Sequence, residues 1–268
     1  MKKQIGKLPP LTPRLRLIAE RVPPGASFAD IGTDHGYLPL WLLLRGRLRG
    51  CLASDLRPEP LRRARENARL YGAAGLRFRL CDGLSGIRPD EADCIAIAGM
   101  GGENIAAILD RAVWTADGKH TLLLQPMSRA EVLRRFLSEH GYKIQWEALA
   151  RERGILYPVM EVTAGHETLS VGQWYGGAKL SRDPLGDRYL IETILRLQNA
   201  VAGLNRAVGA DTRKQADINQ QKVAENREKA DELRDILTEL LSMREEWRHA
   251  NSGQIADNST GSADRRGN

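Results

Sequence analysis

Short apolar runs alternate with amphipathic stretches of helical period from about residue 26 to residue 163. This alternation is typical of βαβ units, in which parallel strands form one sheet and helices cover its faces. It constrains the fold more than any other feature, and it predicts an α/β protein. The predicted strands are at residues 27–31, 50–54, 76–81, 93–98, 120–125, 142–149 and 155–163, and the predicted helices are at residues 11–21, 36–46, 58–71, 102–113 and 128–140.

The last two predicted strands follow each other without an intervening helix. They therefore predict an antiparallel hairpin at the edge of a seven-stranded, mostly parallel sheet, with Arg153 and Gly154 at its turn. The sheet and its helices would form a first domain of residues 1–165, which includes a short helical N-terminal segment at residues 8–24.

After Gly165 the sequence favours helices alone. A first run of apolar residues recurs at gaps of four and three, which is the a/d pattern of a coiled coil. Its members are Leu190, Ile194, Leu197, Val201, Leu204 and Val208. A second, weaker run follows a break at residues 209–212, so residues 166–248 predict an antiparallel helical hairpin. Residues 249–268 contain almost nothing to bury and are predicted to be a disordered tail.

The first predicted strand ends in a glycine-containing turn that leads directly into a helix. The segment from Asp30 to Pro39 has the sequence DIGTDHGYLP, in which Gly32 and Gly36 allow the backbone to approach a ligand closely. It departs from the dinucleotide pattern GxGxxG, because Asp34 stands where that pattern has glycine. A carboxylate there repels a pyrophosphate but attracts the sulfonium and ammonium groups of S-adenosylmethionine. The loop therefore favours that cofactor.

Two further predicted strands end in acidic residues. Asp55 lies 23 residues after Gly32, where a carboxylate can accept hydrogen bonds from both ribose hydroxyls. Asp82, which precedes Gly83, can reach the exocyclic amine of an adenine. Because the carboxyl ends of parallel strands meet at one edge of a sheet, these groups predict one pocket. The predicted cofactor-binding residues are Asp30, Gly32, Thr33, Asp34, Gly36, Asp55, Leu56, Asp82, Gly83, Ala98, Gly99 and Met100.

The fourth predicted strand runs into a segment that has three glycines in four residues, at residues 99–102. Exposed backbone donors and a lack of side chains there would leave room for a flat substrate beside the cofactor. Gln125 ends the next strand at the same edge, within hydrogen-bonding reach of a base. We therefore predict that Gly101, Gly102 and Gln125 bind the substrate.

The net charge of +6 is concentrated in the first domain, where residues 1–164 carry 25 Lys and Arg against 18 Asp and Glu. A basic domain attracts polyanions, and the arginine fork matches phosphate. Arg62, Arg63 and Arg65 on the third predicted helix are therefore predicted to contact nucleic acid, as are Arg14 and Arg16 near the N-terminus. A solvated surface is the alternative interpretation.

Several classes of protein are disfavoured by simple features of the chain. The three cysteines form no CxxC pair and lie in or beside apolar runs, which favours buried thiols over a metal site. The longest apolar runs are far shorter than the roughly 20 residues that a membrane span requires, and the N-terminus does not resemble a secretory signal. We expect no metal, no membrane partner and a cytoplasmic location.

Taken together, these motifs resemble the TrmK family of bacterial tRNA methyltransferases. The resemblance covers about residues 8–245 and depends on the segment from Asp30 to Pro39, on Asp82-Gly83, on IAGMGG at residues 97–102, on LQP at residues 124–126 and on the helical hairpin. It implies a Rossmann-like class I methyltransferase domain with a C-terminal α-helical coiled-coil hairpin. It also implies methyl transfer from S-adenosylmethionine to N1 of adenine 22 in tRNA.

A methylated adenine carries positive charge, which a nearby carboxylate or imidazole can stabilise. The candidates for this catalytic role are His35, Asp34 and Glu103, and each has an alternative. His35 can orient the cofactor loop, Asp34 can anchor the methionine ammonium, and Glu103 can simply begin a helix.

Two other functions share the predicted fold. A small-molecule methyltransferase would use the same cofactor pocket without needing a basic face. A non-catalytic RNA-binding module would bind tRNA without turnover. For the protein itself we expect a monomer or a weak homodimer with tRNA as its partner.

Overall fold

The computed structural model describes residues 6–211 and 218–252 of the chain. Contacts between residues divide the chain into two compact units, Met1–Leu169 and Ser170–Asn268. The predicted domain boundary after residue 165 falls close to this division.

The first unit is built around a sheet of seven strands. They are β1 (Ala26–Ile31), β2 (Leu48–Asp55), β3 (Leu76–Leu80), β4 (Cys94–Gly101), β5 (Thr121–Ser128), β6 (Tyr142–Glu152) and β7 (Ile155–Ala164). The strand order is β3-β2-β1-β4-β5-β7-β6, and β7 runs antiparallel to the other six strands. The predicted seven-stranded, mostly parallel sheet is therefore confirmed. The edge hairpin is also confirmed, with Arg153 and Gly154 both at positive φ in its two-residue turn.

Five helices belong to the first unit. They are α1 (Pro13–Arg21), α2 (Tyr37–Leu44), α3 (Pro58–Tyr71), α4 (Gly102–Asp110) and α5 (Ala130–Glu139). The limits of α3 agree with the prediction, and the other helices are shorter than predicted. In α3, Pro58 suits a first turn that needs no N–H donor, and Gly72 ends the helix in the left-handed region with φ 72°.

The end of β4 differs from the prediction of an open glycine loop. The strand continues through Gly101, with Met100 paired to Pro126 and Gly101 paired to Ser128 across two irregularities in register. Gly102 then begins α4 at once and is buried. The glycines extend the sheet because β5 also continues past Gln125 to Ser128 and offers the partner strand.

The cysteines differ among themselves. Cys51 and Cys94 are buried in the core of the first unit, and burial raises the pKa of both thiols above the usual range. Cys81 is only partly buried, so the expectation of a buried thiol is wrong for that residue. It follows β3 directly, at the edge where the sheet opens to solvent.

Every described secondary-structure element of the second unit is helical. The unit contains α6 (Val171–Gly176), a 3-10 turn (Leu180–Arg182), α7 (Gly186–Asp211) and α8 (Ile218–Ala250). Leu190, Ile194 and Leu197 of α7 form a buried cluster with Leu240 of α8, as the apolar seams predict. Ile236 of α8 also belongs to this cluster, although it is not part of the predicted seam. The short α6 was not predicted, although Ser170 and Gln173 form a capping box at its start.

The predicted break at residues 209–212 is wrong for its first part, because α7 continues through Asp211. A single Gly209 costs a helix only about 1 kcal/mol, and Ala207 and Ala210 near it are strong helix formers. The predicted disorder of residues 249–268 is wrong at its start, because α8 continues through Ala250 and Asn251 is buried, with its Nδ2 donating to the Trp247 carbonyl at 2.7 Å. Thr212 and residues 253–268 lie outside the described residues. Within the described ranges, no helix is long and apolar enough to cross a membrane, and no cluster of three potential metal ligands occurs.

Candidate active site

Two cavities lie at the carboxyl edge of the parallel strands, and Gly32 lines both. The Asp55 cavity has a volume of about 300 Å³ and is lined by Ile31, Gly32, Asp55, Leu56, Arg57, Cys81, Asp82, Gly83, Met100, Asn104, Ala107, Ile108 and Arg111. The Asp30 cavity has a volume of about 380 Å³ and is lined by Thr12, Arg14, Leu15, Asp30, Gly32, Thr33, Asp34, His35, Gly36, Tyr37, Leu38, Ala98 and Gly99. Every residue predicted to bind the cofactor lines one of these two cavities.

The loop after β1 requires glycine at two positions. Gly32 has φ 76°, and a Cβ atom there would lie 2.0 Å from the terminal methyl of Met100. Gly36 has φ 69°, and a Cβ atom there would lie 3.0 Å from the Cβ of Ala64 on α3. The two glycines thus let the loop turn tightly between β1 and α2. Met100, whose role the sequence left open, lines the Asp55 cavity and packs on Gly32.

Asp30 is a buried carboxylate on the wall of the Asp30 cavity. Burial raises its pKa to about 6; a hydrogen bond from Thr33 opposes this rise, and the nearby charge of Asp55 adds to it. No Lys, Arg or His in the described part of the chain forms an ion pair with Asp30. An uncompensated buried carboxylate favours a cationic ligand at this position.

The Asp55 cavity contains two carboxylates in different states. Asp55 is 9% exposed, and its Oδ1 accepts a hydrogen bond of 2.8 Å from the backbone N–H of Arg57. Its Oδ2 has no hydrogen-bond donor among the described residues and remains available to a ligand. Asp82 is already paired with Arg111, at 2.8 and 3.3 Å. Leu56, which is 64% exposed, supplies an apolar surface in the same cavity.

Asp34 and His35 form a chain of polar contacts at the mouth of the Asp30 cavity. His35 Nε2 lies 3.1 Å from Asp34 Oδ2, and Arg63 Nη1 donates to Asp34 Oδ1 at 3.2 Å. The His35 ring also stacks on Tyr37, with 5.3 Å between centroids. Both predicted catalytic residues thus line the cavity, and both already have partners within the loop and α3.

Gln125 is fully buried and holds two parts of the site together. Its Oε1 accepts hydrogen bonds from Arg14 Nη1 at 2.6 Å and from the backbone N–H of Gly99 at 3.2 Å. Its Nε2 donates to the Pro126 carbonyl at 2.7 Å. Because all these groups are engaged, Gln125 fixes the end of β4 rather than presenting a free amide to a base.

Arg14 is a functional residue whose place in the cavity the sequence did not indicate. The basic pattern predicted only a phosphate contact, whereas Arg14 lines the Asp30 cavity from α1. Its Nε donates to Glu152 Oε2 at 2.7 Å, and its guanidinium lies over the Tyr157 ring at 5.4 Å. Burial raises the pKa of Glu152, but hydrogen bonding and charge from Arg14 outweigh this and hold it below its usual range.

Three other predicted residues lie beside the cavities rather than in their walls. Gly102 is buried, and a Cβ atom there would lie 2.1 Å from the Arg129 carbonyl oxygen, so this glycine serves close backbone packing. Gly101 pairs with Ser128 in the sheet. Glu103 is exposed and lies 3.3 Å from the Arg129 guanidinium. None of the three is among the residues that line either cavity.

The arginines of α3 are compensated by neighbours. Arg62 pairs with Glu59 at 2.7 Å and with Glu66 at 2.5 Å, both on the same helix. Arg65 lies over the Phe78 ring at 5.0 Å. Arg63 pairs with Asp34. The ion pairs of Arg62 and Arg63 neutralise part of the positive charge that was predicted to bind phosphate.

Comparison with known proteins agrees with this geometry. A family described as "Methyltransferase domain" matches residues 11–160. The tRNA (adenine(22)-N(1))-methyltransferase of Bacillus subtilis is 36% identical over 181 residues, which cover 67% of this chain and 74% of the relative. The chain belongs to the TrmK family of methyltransferases.

Solved structures support the same family. A putative tRNA (m1A22) methyltransferase from Streptococcus pneumoniae, in complex with S-adenosyl-L-methionine, has a TM-score of 0.72 and 28% identity, and the match covers 88% of this chain and all of that one. The TrmK structure from B. subtilis has a TM-score of 0.71 and 29% identity, and the match covers 85% of this chain and 99% of that one. The chain is thus an S-adenosylmethionine-dependent methyltransferase of Rossmann-like fold.

The residues present suit this cofactor. Gly32 borders both cavities without a side chain, and Asp55 Oδ2 is free to accept from a hydroxyl group. The uncompensated carboxylate of Asp30 suits a ligand that carries an ammonium and a sulfonium group. Apolar Leu56 and Ile108 offer surfaces to a flat base.

Proposed function

We propose that this protein methylates N1 of adenine 22 in tRNA, giving 1-methyladenosine. The observation that carries the proposal is the paired cleft, which has a ribose-type acceptor at Asp55 and an uncompensated carboxylate at Asp30. The similarity to the tRNA (adenine(22)-N(1))-methyltransferase of B. subtilis supports this acceptor. A tRNA substrate would also place the protein in the cytoplasm.

In this proposal, the Asp55 cavity holds the adenosine part of the cofactor and the Asp30 cavity holds its methionine part. Asp55 accepts from the ribose hydroxyls, and Asp82 accepts from the exocyclic amine while it remains paired with Arg111. Asp30 is a better partner for the ammonium group than Asp34, because Asp30 is buried and forms no ion pair among the described residues, whereas the Asp34 side chain is 60% exposed. When bound, S-adenosylmethionine supplies an activated methyl group.

The protein's own contribution to catalysis is positioning. Adenine N1 carries its own lone pair, so it needs no protein base to become nucleophilic. Enzymes that act on a paired or stacked base extrude it, at a cost of about a few kcal/mol. We place the extruded adenine beside Gly99, whose backbone Gln125 fixes in position. Holding the two reacting atoms in contact can supply most of the rate increase.

After methyl transfer the adenine ring is positively charged, and a nearby carboxylate or imidazole can stabilise that charge. His35 and Asp34 are the proposed residues, because both line the Asp30 cavity and are linked to each other at 3.1 Å. The Asp34 carboxylate would stabilise the cation, and His35 would hold that carboxylate in place. Glu103 is the weakest of the three candidates. It is not among the residues that line either cavity, and it pairs with Arg129 at 3.3 Å.

The test is incubation with labelled S-adenosylmethionine and an unmodified bacterial tRNA transcript, followed by nucleoside mass spectrometry. We expect 1-methyladenosine with the wild type and none with Asp30→Ala. A transcript in which adenine 22 is replaced by guanine should gain no methyl group. Binding of the cofactor without methylation of any tRNA nucleoside would leave the cofactor site intact and refute the tRNA proposal.

The partners of the helical unit are also a proposal. Its α7 and α8 can contact a second part of the tRNA, and we expect the protein to be a monomer or a weak homodimer. Sedimentation with and without tRNA measures both properties. A stable dimer at micromolar concentration without RNA would contradict the expected oligomeric state.

A further inference from the structure

The Asp30 cavity has a positive group on one wall and carboxylates on another. Arg14 enters it from α1, while Asp30 and Asp34 enter it from β1 and the loop that follows. Arg14 Nη1 would lie 3.9 Å from a Cβ atom on Gly99, so the guanidinium lies beside the end of β4. The cavity therefore has a cationic side and an anionic side, and it suits a ligand that carries both a positive and a negative group.

The guanidinium is held rigidly but keeps donors free. Nε is committed to Glu152 and Nη1 to Gln125 and to the Met127 sulfur, and the Arg14 side chain is only 16% exposed. Nη2 has no acceptor in the described part of the chain. Since an arginine pre-positioned by two partners loses little entropy on binding, its remaining N–H groups suit a planar anion such as a carboxylate.

We propose that Arg14 is the residue that binds the α-carboxylate of the methionine part of the cofactor, and that Glu152 and Gln125 position it for this contact. The proposal rests on the cofactor assignment of the proposed function. It assigns the two charges of the amino-acid group to opposite walls, the ammonium to Asp30 and the carboxylate to Arg14.

A second consequence concerns the acceptor side. Gln125 Oε1 accepts from both Arg14 and the Gly99 backbone, so the carboxylate contact and the end of β4 share one buried amide. Binding the carboxylate would restrain Arg14 and, through Gln125, the backbone beside which the adenine lies. Arg14 would thus give S-adenosylmethionine a higher affinity than fragments that lack the carboxylate.

The experiment compares two ligands by calorimetry. One is S-adenosylmethionine, and the other is its decarboxylated analogue, which keeps the ammonium and the sulfonium but lacks the carboxylate. We expect the wild type to bind S-adenosylmethionine at least about tenfold more tightly. In Arg14→Met, binding of S-adenosylmethionine should weaken about tenfold while binding of the analogue stays within a factor of two, so the preference disappears. Arg16→Met, on the exposed face of the same helix, should keep it.

Other outcomes distinguish the possible failures. Equal weakening of both ligands in Arg14→Met, or an unchanged preference, would overturn the proposal and leave Arg14 a structural residue. If Arg14→Met does not fold, Arg14→Lys replaces it, because lysine keeps the positive charge but lacks the planar guanidinium. This variant should show an intermediate preference for S-adenosylmethionine over the analogue, and a full wild-type preference would also overturn the proposal. Failure of the wild type to bind S-adenosylmethionine would instead refute the proposed function.

Discussion

The two cavities of the cleft have walls of different origin. The Asp55 cavity takes both of its carboxylates from the ends of β2 and β3, so its chemistry can be recognised along the sequence. The Asp30 cavity depends on Arg14, which contacts Gln125 and Glu152 at separations of 111 and 138 residues. Strand-end patterns therefore predict the acidic residues of both cavities, whereas the cationic side of the Asp30 cavity depends on contacts that only the complete fold creates.

The largest expected effect is at the Asp55 cavity. Asp55→Ala removes a nearly buried carboxylate whose Oδ2 is free for a ligand, so affinity for S-adenosylmethionine should fall on the order of 100-fold. Affinity for 5′-methylthioadenosine, which lacks the amino-acid group, should fall equally. Calorimetry with both ligands measures this, and Asp90→Ala, at an exposed carboxylate, is the control. If methylthioadenosine binding does not change, the two cavities are assigned the wrong way round.

The next effect is a pH dependence that belongs to the Asp30 cavity. Because the pKa of Asp30 is raised to about 6, its carboxylate is protonated in acid and loses its attraction for a cation. Cofactor affinity should therefore fall about tenfold for each pH unit below 6, and stay constant above 7. Titrations between pH 5 and 8 measure the profile. Asp30→Asn should bind weakly at every pH without this slope; the same slope in that variant would mean that another group titrates.

The same carboxylate affects stability with a defined sign. The folded protein keeps the Asp30 proton up to about pH 6, whereas the unfolded chain releases it near pH 3.8. The free energy of unfolding should therefore decrease as the pH rises from about 4 to 6, by at most about 3 kcal/mol relative to Asp30→Asn. Urea unfolding of both proteins across this range measures the difference. An increase with pH relative to the variant would contradict the assigned pKa.

A smaller effect is expected for the link between Arg14 and β4. Gln125→Leu keeps the volume but leaves the Gly99 N–H and the Arg14 guanidinium without their shared acceptor, which should cost about 1–3 kcal/mol of stability. Cofactor affinity should fall about fivefold, less than for Asp55→Ala. Thermal unfolding and calorimetry measure the two changes. Gln145→Leu, at an exposed glutamine of β6, should change neither.

The smallest effect is expected on α3. Arg62 is paired with two glutamates of its own helix, so Arg62→Ala should weaken tRNA binding less than about threefold at moderate salt. Filter binding over a series of salt concentrations measures it. If the slope of log affinity against log salt concentration becomes shallower by about one unit in Arg62→Ala, then Arg62 does contact phosphate, as the sequence predicted.

Much of the fold could be predicted because its signals are local. The alternation of strands and helices, the edge hairpin at Arg153-Gly154 and the seam from Leu190 to Val201 each depend on residues close in sequence. The end of β4 could not be predicted in this way. Gly99 and Gly101 resemble a loop locally, and only the extension of β5 beside them makes the segment a strand.

The same distinction applies to individual site residues. Asp55 and Gly32 could be placed from the sequence, because a strand end and a tight turn determine their positions. Gln125 was predicted to face a base, but its amide is buried and fully engaged, which follows from contacts with α1 and β4. Both Arg14 and Arg62 were predicted to contact nucleic acid because the first domain is basic. The net charge does not show that Arg14 lines a cavity whereas Arg62 forms ion pairs with glutamates of its own helix.

The contact between Arg14 and Glu152 also affects the order in which the site can form during synthesis. Arg14 leaves the ribosome early, but its partner emerges only after 138 further residues, at the end of β6. A nascent chain that stops after β5 would therefore contain the glycine loop, both acidic strand ends and Gln125, yet it would lack Glu152, the second partner that positions the guanidinium. The cofactor could then stabilise the domain fully only after translation has passed the edge hairpin.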